Sequence, residues 1–247
     1  MYRIVFSKNN LLVLFVLCFI MACIEKKSAL PYYNEPNFTP YFLNSIDANK
    51  KITHTISSFT FLNQDSTTIT EKIFNNKIHV ANFIFTSCGS ICPIMTENLK
   101  TVSDKYSSDS SIIFLSYSVT PWIDTPEKLK LFKQNKGIEN KNWHFLTGNK
   151  AEIYTLARQS YFAEEDLGFT KDSTEFLHTE HFILVDANKK IRGIYNGTLV
   201  LEMQQLIADI QLLKQEDELS FTNIFSIIYS IEINLLYSLI SLGYSLF

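Results

Sequence analysis

Eight residues, Ile78-His79-Val80-Ala81-Asn82-Phe83-Ile84-Phe85, form a largely apolar run rich in β-branched and aromatic side chains that leads straight into Cys88 and Cys92. A strand of that character is buried on both faces, which happens in sheets that carry helices on either side. Pro93 suits a first helical position, and Met95, Leu99 and Val102 follow at helical spacing. Strand, cysteines and helix are therefore contiguous, and this junction restricts the fold more than any other part of the chain.

The alternation continues on both sides. Residues 54–62 read as a strand, as do 112–119, and Asp124-Thr125-Pro126-Glu127 supplies a cap, a Pro and an acid at a helix start that Gly137 closes. Residues 143–146 read as a short strand and 151–160 as a helix. Residues 182–186 and 191–195 form a hairpin around Ala187-Asn188-Lys189, and 200–213 a last amphipathic helix. Alternating strands and helices predict an α/β fold, a central mixed sheet flanked by helices. At 247 residues, 46% of them hydrophobic and with few Gly or Pro, the chain can bury one good-sized core.

The ends are of a different kind. Arg3 and Lys8 precede an apolar stretch at 11–22 that is short for a bilayer span and suited to a signal peptide. It closes on Ile20-Met21-Ala22-Cys23, a small residue directly before a Cys, which resembles a bacterial lipobox. The expectation is a lipoprotein-type signal peptide at 1–22, acylation of Cys23 and an exported domain held to a membrane. An ordinary cleavage site with an incidental Cys is the alternative. Residues 23–50, with Pro31, Pro36 and Pro40 among Asn, Tyr and Phe, read as an extended linker. A domain at 51–215 follows. Residues 216–247 read as an apolar C-terminal helix: from 219 onward Glu232 is the only charged residue. Thr222, Ser226, Ser230, Asn234, Ser238, Ser241 and Ser245 recur at steps of four and three, giving a narrow polar seam. A second membrane contact is the first expectation there, and docking on the protein's own core the second.

Charge excludes one class of partner. The net charge is −3, and the first 22 residues hold Arg3 and Lys8 but no acid, so their removal makes the chain more acidic. No basic stripe exists to neutralise phosphates, so no nucleic acid is expected.

Export also changes the reading of the cysteines. Cys18 and Cys23 belong to the leader and its cleavage point, which leaves Cys88 and Cys92 for chemistry. They lie four apart at a strand's C-terminal edge and a helix's N-terminus, where the helix dipole favours a thiolate and where open α/β sheets place ligands. Spacing alone is equally compatible with a structural disulfide. Two thiolates are soft ligands suited to Cu(I), and one added imidazole makes a three-ligand site able to hold Cu(II) as well. Structural zinc wants four protein ligands, which the remaining cysteines do not readily supply. His54, His79 and His144 sit in or beside strand patterns and read as packed or partly exposed residues. His178 and His181 lie just before the strand at 182 and point to opposite faces if extended, so spacing leaves the choice between them open.

Three segments together resemble the Sco (SenC) family: Phe85-Thr86-Ser87-Cys88-Gly89-Ser90-Ile91-Cys92-Pro93; Ser116-Tyr117-Ser118-Val119-Thr120-Pro121 with Asp124-Thr125-Pro126; and His178 before Phe182-Ile183-Leu184-Val185-Asp186. The resemblance covers roughly residues 31–213. It implies a thioredoxin-like fold, copper bound by Cys88, Cys92 and His178, and help in assembling the binuclear copper centre of cytochrome c oxidase. The copper-bearing subunit of that oxidase, or another thiol protein, is then the expected partner. His181 becomes a neighbour that affects access or local charge. Many family members have Pro at Gly89 and Asp at Thr120 and Leu177; none of these departures replaces a ligand.

Two other readings remain. A thiol-disulfide oxidoreductase would use Cys88 and Cys92 as its redox-active pair. General thioredoxin activity fits less well, because that family carries C-x-x-C beside a cis-Pro from a later segment, whereas the last Pro here is Pro126. The third reading is an interaction module with a structural disulfide.

Overall fold

The run beginning at Ile78 becomes the middle of a sheet in the computed structural model, which describes residues 29–163 and 179–216. In chain order the elements are β1 (Tyr32–Tyr33), β2 (Pro40–Tyr41), α1 (Ser45–Lys51), β3 (Thr60–Asn63), β4 (Thr68–Thr70), a 3-10 turn (Glu71–Phe74), β5 (Ile78–Ile84), α2 (Ile91–Lys105), β6 (Ile112–Ser118), α3 (Pro126–Asn135), β7 (Trp143–Thr147), α4 (Lys150–Thr155) passing into a π turn (Leu156–Ser160), β8 (His181–Val185) and β9 (Ile191–Asn196). Residues 200–216 are helical and form α5.

The described strands make one nine-stranded sheet in the order β2-β1-β9-β8-β5-β6-β7-β3-β4. β5, β6 and β7 run parallel, while β8 pairs antiparallel with β5 and β9 antiparallel with β8. Every residue of β5 and β6 is buried, as the unbroken apolar run requires. Alternate residues serve two cores: Ala81, Phe83, Leu115 and Tyr117 face one, beneath Tyr154 and Ala157. Val80, Ile84 and Phe114 face the other with Met95, Leu99 and Val102 of α2 and Leu206 and Ile210 of α5. Polar residues inside these strands are satisfied in place, Ser116 donating to Asn82 Oδ1 at 2.6 Å and accepting from the Trp143 indole at 2.8 Å.

Local signals act as their chemistry demands. Thr125 caps α3 and Pro126 opens it; Gly137, at φ +60°, closes it, with the Ile138 N–H reaching back to Lys133 O at 3.1 Å and the Gly137 N–H to Gln134 O at 2.9 Å. Asp186 Oδ1 accepts from the N–H groups of Asn188 and Lys190 and so builds the turn between β8 and β9. The expected helix at 151–160 is present, but its last turn widens, so that the Tyr161 N–H bonds Leu156 O at 3.1 Å.

Two stretches differ from their sequence reading. Residues 54–59 lie ahead of the ladder; the Ile56 N–H bonds Lys189 O, and regular pairing starts only at Thr60. From residue 29 onward the stretch read as a linker is folded and packed: β1 adds to β9, β2 adds to β1, α1 follows, and Tyr32 and Ala48 bury a small cluster with Ile52. Its Pro40 lies in the outermost strand, where the missing N–H costs no ladder bond. Arg192 fixes this arm from inside. Its guanidinium lies 3.9 Å from the Tyr32 ring centre, donates to Pro31 O and Leu30 O, and pairs with Asp186 at 3.3 Å and with Glu216 of α5 at 2.8 Å. Chain entry at Leu30 and the last described residue of α5 are thus neighbours. Cys23 and the apolar segment beyond residue 216 lie outside the described residues, and no helix among the described residues is long and apolar enough to cross a membrane.

Candidate functional site

β5 ends at Ile84, and the next residues turn sharply, with the Cys88 N–H bonding Phe85 O at 3.2 Å. α2 starts at Ile91, two residues earlier than the sequence suggests, so Cys92 and Pro93 both stand in its first turn. Pro is tolerated there because the first N–H groups of a helix have no intrahelical acceptor. Cys88 therefore precedes the helix. The two thiols interact across the loop that joins strand and helix. Both cysteines are free thiols, Cys88 half-buried and Cys92 buried.

Ser90, the cap of α2, makes no side-chain cap bond. The sulfur of Cys88 lies near the N–H groups that open the helix. Burial acts to raise its thiol, but the N–H groups of Cys92, Ser90 and Ile91 and the Cys92 thiol all favour the thiolate and together leave Cys88 below the ordinary cysteine value. Burial pushes the Cys92 thiol up to about 12, and its bond to Cys88 pushes the same way. The pair is polarised: Cys88 is the more exposed thiol with its pKa lowered, Cys92 the buried one with its pKa raised.

His178 lies outside the described residues. Among the described residues no three His, Cys, Asp or Glu side chains cluster as a metal site. β8 runs antiparallel to β5, so its first residues stand at the end of the sheet from which the cysteine loop emerges. His181 opens β8 on the face shared by Ile183 and Val185, with its ring edge-on to Phe38 at 6.1 Å, whereas α2 covers the other face. His54 bonds Ser160 O at 2.8 Å and stacks on Phe162 at 4.2 Å, and His79 is fully buried against Tyr161 and Phe74. His144 is half-buried in β7. These three act as packed residues.

One residue of the site escaped the sequence reading. Asp124, read as part of a helix start and of a family-like segment but given no role, is completely buried and accepts from Thr86, two positions before Cys88. An acid just ahead of a Thr-Pro cap looks like capping chemistry, and nothing in the pattern shows that it turns inward.

A polarised thiol pair at the open end of a parallel strand, within a mixed sheet sheathed by helices, defines a thioredoxin-like thiol protein. The chain belongs to the SCO1/SenC family, whose model matches residues 47–215. It is 31% identical over 162 residues to the SCO1 protein homolog of Bacillus subtilis (strain 168), covering 65% of this chain and 83% of that one. Among solved structures, a SCO1/SenC family lipoprotein from Bacillus anthracis str. Ames superposes with a TM-score of 0.57 at 30% identity, over 66% of this chain and 96% of the other. BsSco, described as a member of the Sco family of cytochrome c oxidase assembly proteins with a disulfide switch, gives 0.56 at 30% identity, over 66% and 94%. The ScoI of Bradyrhizobium japonicum, solved with copper bound, shares the fold at 22% identity and a TM-score of 0.51, over 64% and 98%.

Proposed function

We propose that this chain is a copper chaperone: Cys88, Cys92 and His178 hold a copper ion, as Cu(I) or Cu(II), and pass it to a thiol-bearing partner, the copper-bearing subunit of cytochrome c oxidase, during assembly of its binuclear centre. The observation that carries the reading is the polarised pair of free thiols at the end of β5, Cys88 half-buried with its pKa lowered by backbone N–H groups and Cys92 buried with its pKa raised. Two soft sulfurs suit Cu(I), and one imidazole suits Cu(II) as well. Membership of a family whose relatives include a copper-bound protein and a cytochrome c oxidase assembly protein supports both cargo and destination. Transfer proceeds by ligand exchange: an incoming partner thiolate takes a coordination position, Cys88 leaves as the accessible ligand, and Cys92 recovers its proton as the ion departs.

A lipid anchor at Cys23, on the periplasmic side of a bacterial membrane, fits the leader pattern and the family lipoprotein.

The asymmetry of the pair also favours a second reading, thiol-disulfide exchange. The Cys88 thiolate attacks one sulfur of a partner disulfide, and the partner's other sulfur leaves as a thiolate and takes a proton. Cys92, deprotonated, then attacks Cys88, closing the Cys88–Cys92 disulfide and freeing the partner as a dithiol with two electrons gained. One experiment separates the readings. Cu(I) titration against a chelator is expected to give about one ion per domain in the wild type, with retention lost in Cys88→Ser and weakened in His178→Ala. Tight binding unchanged in Cys88→Ser contradicts the chaperone, and disulfide reduction that persists in His178→Ala without copper supports the exchange reaction.

A further inference from the structure

Two residues, Thr86 and Ser87, separate the end of the β5 run from Cys88, and each is gripped from α3's side of the sheet. Asp124 has no exposed surface, and four donors converge on its carboxylate: the Thr86 N–H at 3.2 Å, the Thr86 hydroxyl at 2.5 Å, the Ser118 hydroxyl at 2.7 Å and the Thr120 hydroxyl at 3.0 Å. Lys128, four residues on, stands 3.8 Å from the same carboxylate and donates to Ser87 Oγ at 3.1 Å. Ser118 closes β6, and the Val119 N–H bonds Ile84 O at 2.8 Å, so the ends of β5 and β6 are already joined through the backbone. The strands do not need Asp124 to stay paired. A carboxylate in so dry a place is costly unless its lone pairs are filled, and two of the bonds that fill them come from Thr86.

We propose that Asp124 is the positioning residue of the thiol loop: by holding Thr86 at both its N–H and its hydroxyl, it fixes where Cys88, two residues on, stands ahead of α2. Lys128 serves the same loop through Ser87. The inference rests on the reading of Cys88 and Cys92 as the working pair, but not on copper.

The test uses the full chain and follows iodoacetamide alkylation of Cys88 in the metal-free protein at pH 7, beside Cu(I) competition and thermal unfolding. Thr86→Val is close to isosteric and leaves the Asp124 charge in place; it is expected to slow alkylation about threefold and to weaken Cu(I) retention about tenfold, roughly the worth of one charge-assisted hydrogen bond. Thr86→Ser restores both. Asp124→Asn slows alkylation too. Ser118→Ala removes a donor from Asp124 without touching the loop and leaves alkylation at the wild-type rate.

The sign of the Asp124→Asn effect is decisive, because loss of a negative charge alone favours the thiolate and speeds alkylation. Faster alkylation in Asp124→Asn, a wild-type rate in Thr86→Val, or equal slowing in Ser118→Ala overturns the proposal. A protein that binds no copper yet follows this alkylation pattern overturns the metal reading and leaves the positioning role intact.

Discussion

His79 shows what burial does to a single side chain. It sits in the all-buried β5, stacks on Phe74 at 4.1 Å and shares a hydrogen bond with the Tyr161 hydroxyl at 3.1 Å, while its Nδ1 has no partner. Burial, with Lys189 adding to it, pushes its pKa down to about 3. The unfolded chain binds a proton at this residue below about pH 6.5 and the folded chain does not, so stability is complete above that pH and falls as pH drops. Burial pushes His144 the same way, to about 4. Urea unfolding is expected to show the wild type losing on the order of 3 kcal/mol between pH 6.5 and 4 through His79, and His79→Phe is expected to flatten that slope. An unchanged slope in the variant contradicts the assignment. Sequence alone marked His79 as packed or partly exposed, because it sits in a strand pattern. It did not reveal that Asp124 turns inward, because an acid before Thr-Pro looks like a cap.

Among elements, the strands and helices around the site were legible because their periodicity is long and their punctuation strong: β5 from its apolar run, α3 from Thr125-Pro126 and Gly137, the β8–β9 turn from Asp186 and its neighbours. The short pieces were not. β1, β2 and β4 are too brief to show a period, and they exist because partner strands offer free edges, a tertiary cause no local window contains. The loop between the thiols carries its own prediction. Gly89 lies outside the left-handed region, and a Cβ placed there meets nothing within 4 Å. Gly89→Ala therefore restricts the unfolded chain without strain in the folded one. It is expected to raise unfolding free energy by about 0.5 kcal/mol, read in the thermal midpoint, with Cu(I) retention unchanged. A lowered midpoint shows that the loop uses freedom only glycine has.

For the whole molecule, the sheet fixes both ends of the account. β5, β6 and the start of β8 converge where the cysteine loop emerges, while Arg192 draws Leu30 and Glu216 together at the edge where the chain enters the domain. Leu30 and Glu216 are thus held side by side, through Arg192 and through the Leu30 N–H on Glu216. The central claim is that copper sits on two sulfurs and one imidazole. X-ray absorption spectroscopy of the copper-loaded protein measures that directly. The account predicts two sulfur scatterers and one imidazole nitrogen at the copper, with the nitrogen lost in His178→Ala; an all-sulfur shell, or a nitrogen that persists in His178→Ala, contradicts it.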